Sequence, residues 1–376
     1  MQVNGYDWQN KTVLVTGASG FKGSWLTAAL LRLGAKVYGT IRPQLNPNSA
    51  FNLLSLNNQL ANVNADISVR QQVTDMINSV APDVIFHLAA KALVPVAIRD
   101  PLRAYEVNVM GTLNILEACR RLGICQRMII CSTDHVFGNI NEKEMPKDGF
   151  PELSRVSYGG PYDTSKAAME LSIRSYYKTY WKELPEVGIT RCANVFGCGD
   201  VGQRRVIPLF IESAMNTKSI ELKYRLNGRQ FIHISDAIIG YIKAASSLSD
   251  ITPVIKRTLE LPDRSPFTPT FHFAIEKYGN PNEPFIRMEN LAKMVASICG
   301  GTQIDDSKCI DYALHENRIQ ALSCASTRKI LQWQPNLSLD TAIEHVYNRY
   351  QMRLNTSSMM TKLKEDVDEM LSRLQS

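Results

Sequence analysis

The stretch VLVTGASGFKGSW, Val13 to Trp25, decides the fold. An apolar strand pattern runs into Gly17, Gly20 and Gly23 and continues as a helix-like run. A tight turn from a parallel strand into a helix gathers backbone N–H groups and the positive helix end at one point. A dinucleotide pyrophosphate fits there only where side chains are absent. Gly17 makes the turn, Gly20 lets the backbone approach the phosphates, and Gly23 lets the helix pack on the sheet. A glycine triplet alone is a weak signal, and a glycine-rich turn without a ligand is the bland reading. Following a strand near the N-terminus and opening a helix, it stands in the context that a dinucleotide site requires.

Outward from this loop, strand and helix signals alternate from Lys11 to about Ile189. Strand patterns lie at Thr12–Thr16, Lys36–Thr40, Asp83–His87 and Arg127–Ser132, with amphipathic runs at Leu26–Leu33, Val69–Ser79 and Ala104–Leu122. The alternation predicts an α/β fold: a doubly wound parallel sheet of Rossmann type with a smaller mixed C-terminal substrate lobe. Residues 1–194 are assigned to the Rossmann domain, to which a strand and helix near 229–250 return. Residues 195–228 and 251–350 are assigned to the lobe. In the tail, 351–376, Leu363, Val367, Met370, Leu371 and Leu374 fall on one face of a charged helix. That face packs on the body or self-associates, or the tail is frayed.

The 376 residues carry 44% hydrophobic and 21% charged side chains, enough to build a sizeable core. The net charge of +6 suits acidic small ligands or simply a solvated surface, and no lysine/arginine block marks a nucleic-acid partner. The N-terminus lacks a signal-peptide pattern and no run is apolar enough for a membrane span. Cys119, Cys125, Cys131, Cys192, Cys198, Cys299, Cys309 and Cys324 form no CxxC and no metal-like spacing with histidine, so no metal is expected. They read as reduced thiols of a cytoplasmic protein.

Further motifs follow in order: Asp66-Ile67, His87-Leu88-Ala89-Ala90, Asn108 with Gly111-Thr112, Ser132-Thr133-Asp134, and Tyr162-Asp-Thr-Ser-Lys166. With the loop TGASGFKG they resemble the extended short-chain dehydrogenase/reductases over about residues 10–350. The resemblance implies that Gly17, Ser19, Gly20, Phe21, Lys22, Gly23, Asp66, Ile67, Leu88, Ala89, Ala90 and Asn108 hold a nicotinamide dinucleotide. Tyr162 and Lys166 are four apart, so on one helix they share a face. An ammonium beside a phenol favours the phenolate. Such a tyrosine exchanges a proton with a substrate hydroxyl while hydride passes to or from nicotinamide.

Within that family, FKGSWL, Ala193-Asn194-Val195, Arg204-Arg205-Val206-Ile207-Pro208 and Leu331-Gln332-Trp333 resemble CDP-glucose 4,6-dehydratases. The implied reaction oxidises C4 of a nucleotide-diphosphate hexose, eliminates water across C5–C6, and returns the hydride to C6. By resemblance Thr133 holds the C4 hydroxyl and Asp134 is the acid at C6. His135 stands where such dehydratases carry Glu or Lys. An imidazole can serve as base at C5, or the ring only packs and no elimination occurs. Arg42 closes the second strand where an acid would grip the ribose of NAD. It suits the 2′-phosphate of NADP, as in GDP-mannose 4,6-dehydratases, or is a surface arginine beside NAD. The cofactor, regenerated each cycle, is expected to stay bound. Lys91, Asn194, Arg205 and Arg229 are the expected substrate contacts, with Lys91 meeting an acidic group or pointing to solvent. Arg229 is read as a diphosphate contact. His233 reads as buried and structural, and Asp236 as a helix cap. Family members pair through the Ala104–Leu122 and Tyr162–Tyr180 helices, implying a homodimer or a tetramer. The other readings are a 4-epimerase, C4 dehydrogenase or reductase on the same scaffold, an NADP-sensing protein without turnover, and a binding module without cofactor.

Overall fold

In Val13-Leu14-Val15 all three side chains are fully buried. Val13 and Val15 enter one core and Leu14 another, as the alternation of a strand with two covered faces demands. The structure, a computed structural model, describes residues 2–43, 45–202, 205–217, 219–262, 266–280, 282–312, 317–352 and 356–375. Its central sheet has seven parallel strands: β1 (Thr12–Thr16), β2 (Lys36–Gly39), β3 (Ala61–Asn62), β4 (Val84–His87), β5 (Arg127–Cys131), β6 (Glu186–Cys192) and β7 (Thr270–Phe273). Their order is β7-β6-β5-β4-β1-β2-β3. The order reverses between β1 and β4, which opens a crevice at the carboxyl ends of the strands.

Helices α1 (Phe21–Arg32), α2 (Arg70–Val80), α3 (Gly111–Leu122) and α4 (Pro161–Tyr180) flank the sheet. The run read as one helix from Ala104 is broken. A helical turn at Pro101–Tyr105 passes through a π-helical stretch, Glu106–Met110, before α3. A π turn rotates side chains out of the ordinary register and recurs at functional sites. Here it carries Asn108.

After β6 the chain enters the lobe through Asn194–Phe196, paired in parallel with Phe231–His233. The lobe closes its own core around α5 (Val206–Asn216), α7 (Met288–Ile298) and α8 (Leu339–Gln351). Between them, α6 (Ile234–Thr258) returns to the sheet. The lobe boundaries need correction. Thr270–Phe273, buried throughout, pairs with β6, and the helix Ala325–Leu331 packs on that strand and on α6. Parts of 251–350 therefore belong to the Rossmann body, because a strand buried on both faces needs a sheet neighbour. Helix α9 (Thr356–Gln375) settles the tail: Leu363, Val367, Met370, Leu371 and Leu374 are buried in the core that contains Trp25 and Leu26 of α1. Arg32 pairs with Asp368 at its edge. No described helix is long and apolar enough to cross a membrane.

Candidate active site

The crevice is a cleft of about 1290 Å³ between sheet and lobe. It is lined by every residue named from the sequence as a site residue except Asn108. Gly17 N–H donates to Thr40 Oγ1 at 2.7 Å and Arg42 N–H to Ser19 Oγ at 2.9 Å, tying the glycine loop to the end of β2. Helix α1 begins at Gly20, which supplies no side-chain cap, and its first turn holds no acid. Those amides are left for an anion. A Cβ on Gly23 would lie 2.1 Å from Gly17 O, so only glycine lets the helix start this close to the strand. The cradle therefore fits a dinucleotide pyrophosphate. Further along, Asp66 pairs with Arg103 at 2.5 Å and accepts from Ser68. Burial pushes its carboxyl up, but the Ser68 and Arg103 contacts outweigh it and hold the group low.

Asn108, expected as a cofactor contact, stands behind the lining. Its amide is fully used: Oδ1 accepts from Lys91 N–H at 2.9 Å, and Nδ2 donates to Ser165 Oγ at 2.9 Å and Lys91 O at 3.3 Å. It braces the loop after β4 against α4. His87, bonded to Thr16 and Thr112, is held down to about 3 by burial and is a neutral strut.

The reacting groups meet at the ends of β5 and α4. Thr133 and Asp134 follow β5 directly; the Thr133 hydroxyl lies 3.0 Å from Asp134 Oδ1. Asp134 Oδ2 is buried and has no hydrogen-bond partner among the described residues. The His135 ring meets the Tyr162 ring edge-on, centroids 5.3 Å apart. Tyr162 and Lys166 occupy one face of α4, as their spacing requires. The expected lowering of the phenol by Lys166 is not the balance found. Burial dominates and pushes Tyr162 above the ordinary phenol value, with a hydrogen bond from Thr133 acting against it. The Lys166 ammonium donates instead to Cys131 O at 2.6 Å, and burial pulls it down to about 8.

Lys22 lies on the floor beside this group, Nζ 3.4 Å from Tyr241 Oη and 3.9 Å from Cys131 Sγ. Burial pushes the Cys131 thiol up, but the Lys22 and Lys166 charges win and hold it low. The sequence reading missed Cys131 and Tyr241. It also missed the fully buried Glu170–Arg191 pair, whose Glu170 accepts from Ser132 Oγ at 2.6 Å. Only the adjacency of Cys131 to Ser132-Thr133-Asp134 signalled any of these.

In the lobe, Arg205 stands at the start of α5 with Nε 3.8 Å from Asp200. Arg229 is buried, with Nη1 donating to the carbonyls of Gly228 and Arg318. Asn194 Nδ2 donates to Gln230 O at 3.1 Å. His233 is buried, ending its strand and capping α6. Asp236 does not cap the helix. Its carboxylate accepts from Asn336 Nδ2 and Leu337 N–H, fixing the segment before α8.

Residues 13–254 match the model of the NAD dependent epimerase/dehydratase family. The chain belongs to that family. It is 25% identical to CDP-glucose 4,6-dehydratase of Salmonella typhimurium, covering 97% of both chains. It is 30% identical to UDP-glucose 4-epimerase of Mycolicibacterium smegmatis over 88% of this chain and 95% of that one. Its fold matches dTDP-glucose 4,6-dehydratase of Bacillus anthracis, solved in complex with NAD, at a TM-score of 0.71 and 21% identity, covering 93% and 99%. These relatives are nucleotide-sugar enzymes, one a dehydratase and one an epimerase.

Proposed function

We propose that this protein is a nucleotide-sugar 4,6-dehydratase, a hydro-lyase acting on a CDP-glucose-like or GDP-mannose-like substrate. One observation carries the reading. An unpartnered buried carboxylate oxygen, Asp134 Oδ2, shares the cleft with an imidazole and the Tyr162 phenol. A 4-epimerase needs one acid–base group; elimination of water needs a second pair. A nicotinamide dinucleotide held by the Gly17–Gly23 loop would supply the hydride acceptor for C4 and the donor for C6. Tyr162 takes the C4 hydroxyl proton, Thr133 holds that oxygen, His135 removes the C5 proton, and Asp134 protonates the departing C6 hydroxyl. Asn194, Arg205 and Arg229 are read as the diphosphate contacts, with Lys91 meeting an acidic group of the substrate or pointing to solvent. A panel of CDP-, GDP-, UDP- and dTDP-hexoses, incubated without added cofactor and weighed by mass spectrometry, tests this. Loss of one water is the expected result. An isomer of unchanged mass makes the chain a 4-epimerase, the reading favoured by its 30% identity to one.

The cofactor reading is NADP. Arg42 is exposed on the cleft rim and has no ion-pair partner among the described residues, and β2 ends without an acid. A charge-assisted phosphate contact is worth about 1.5–3 kcal/mol. Arg42→Ala is therefore expected to weaken NADP binding by about 10–100-fold while leaving NAD within about threefold, measured by titration calorimetry. Equal losses for the two cofactors reject it. Leu102, Met110 and Leu171 are exposed on the helical face beside α3 and α4, which supports a homodimer; a monomeric mass by light scattering rejects it. The eight free cysteines suit a reducing cytoplasm.

A further inference from the structure

The His135 ring has two nitrogens, and the structure gives them different surroundings. Nδ1 lies 2.8 Å from Asp163 Oδ1, and both side chains are largely buried. Asp163 is the residue after Tyr162, in the first turn of α4. Its other oxygen, Oδ2, accepts from Gly160 N–H at 3.3 Å, so the carboxylate is held from both sides. A Cβ at position 159 would fall 2.4 Å from Oδ2, so Gly159 is what allows the carboxylate to sit there. Asn317 Nδ2 lies 3.4 Å from the same Nδ1, at the limit of hydrogen bonding. A ring N–H donating to the nearer carboxylate cannot also accept from that amide, and the shorter, charge-assisted contact decides the proton's place. Nε2 has no hydrogen-bond partner among the described residues, and the ring lines the cleft.

We propose that Asp163 is a positioning residue that fixes His135 in the Nδ1–H tautomer and leaves the Nε2 lone pair facing the substrate. The inference rests on the reading of His135 as the C5 base and names what makes it one. A neutral imidazole accepts a proton at only one nitrogen, and a carboxylate on the other selects which. The same carboxylate faces the imidazolium once the proton has been taken, the division of labour in carboxylate–imidazole pairs of hydrolases. The arrangement also explains two sequence features together. His135 replaces the usual Glu or Lys, and a carboxylate stands directly after the tyrosine, behind a Gly-Gly-Pro entry to the helix.

Asp163→Asn is the informative variant. An asparagine keeps an oxygen for Gly160 N–H, so the helix start is preserved. It then presents its NH₂ group to Nδ1, which drives the proton to Nε2. The test uses the full chain with its resident cofactor and ¹⁵N-labelled histidine, the His135 signals being those lost in His135→Gln. In the wild type, ¹H–¹⁵N spectra at neutral pH are expected to show Nδ1 protonated and Nε2 bare. In Asp163→Asn the two exchange roles. Solvent deuterium entry at C5 of the nucleotide sugar falls by about 10²–10⁴-fold, with KM within about threefold. An Nε2-protonated His135 in the wild type overturns the proposal whether or not the variant folds. So does an Asp163→Asn enzyme with unchanged tautomer and exchange rate. If His135→Gln exchanges C5 at the wild-type rate, the base assignment itself fails. If His135→Gln is dead while Asp163→Asn is normal, only the pairing fails.

Discussion

Replacing Tyr162 with phenylalanine is expected to reduce turnover by about 10²–10⁴-fold on any nucleotide sugar the chain accepts, the usual range for loss of a proton-transfer group. The ring packs against Ala97 and Ala104 and is only 8% exposed, so phenylalanine preserves shape and burial. The hydroxyl alone is deleted. Thr133 loses that neighbour but keeps Asp134 Oδ1, so stability changes by no more than about 0.5–1.5 kcal/mol. Activity and fold are thus separable, with kcat read by mass spectrometry and melting followed by circular dichroism. The effect is large because burial makes a lone phenolate costly here. The proton can leave only while a nearby positive charge offsets that cost. Arg205 is one such charge, and Lys166, on the same helix face, is a second that burial pulls down to about 8. As pH rises through that value the ammonium is discharged and its support for a phenolate disappears, so kcat/KM falls on the alkaline side. Below about 8 the charge is present and this limb is flat. A variant retaining turnover within threefold of wild type removes Tyr162 from the chemistry.

The parts of this site that are legible in the sequence are those whose cause is local. Val13–Trp25 dictates strand, turn and helix through near-neighbour sterics, and the Tyr162/Lys166 spacing places two side chains on one face of α4. Strands β1, β2, β4 and β5 fall within a residue of their apolar runs. What is not legible depends on partners distant in the chain. Thr270–Phe273 is four residues after a long lobe excursion, and only its pairing with β6 makes it a strand. Asn108 has the same composition whether it faces the cleft or the backbone behind it; the π turn decides. Asp236 looks like a cap because acids favour first turns, yet a contact 100 residues away claims its carboxylate. The phenol and ammonium were read from proximity alone. Burial, which no short motif reports, reverses the direction of the Tyr162 shift. Asp163 and His135 are 28 residues apart, and nothing in either segment announces the pair.

His135→Gln is expected to stop C5 exchange, lowering solvent deuterium entry by about 10²–10⁴-fold, while leaving substrate binding within about threefold. Glutamine can still donate to Asp163 Oδ1, but its amide takes no proton at neutral pH. The ring is 17% exposed and packs edge-on against Tyr162, so its loss costs one aromatic contact, about 0.5–1.5 kcal/mol, and creates no buried cavity. Comparison with Asp134→Asn separates base from acid. That variant keeps the imidazole and its tautomer, so C5 exchange continues once the ketone forms. The C6 hydroxyl then has no proton donor, and water is not lost. Tyr162→Phe blocks exchange and water loss together, because without the ketone the C5 proton is not acidic. Tyr162→Phe and His135→Gln therefore both lose exchange and dehydration and are told apart by whether C4 is oxidised, which only His135→Gln still allows, whereas Asp134→Asn exchanges without dehydration. Exchange at the wild-type rate in His135→Gln would assign the C5 proton to another group. Asp134, whose Oδ2 is unpartnered among the described residues, would then be the only other side chain of the 133–135 segment able to take it.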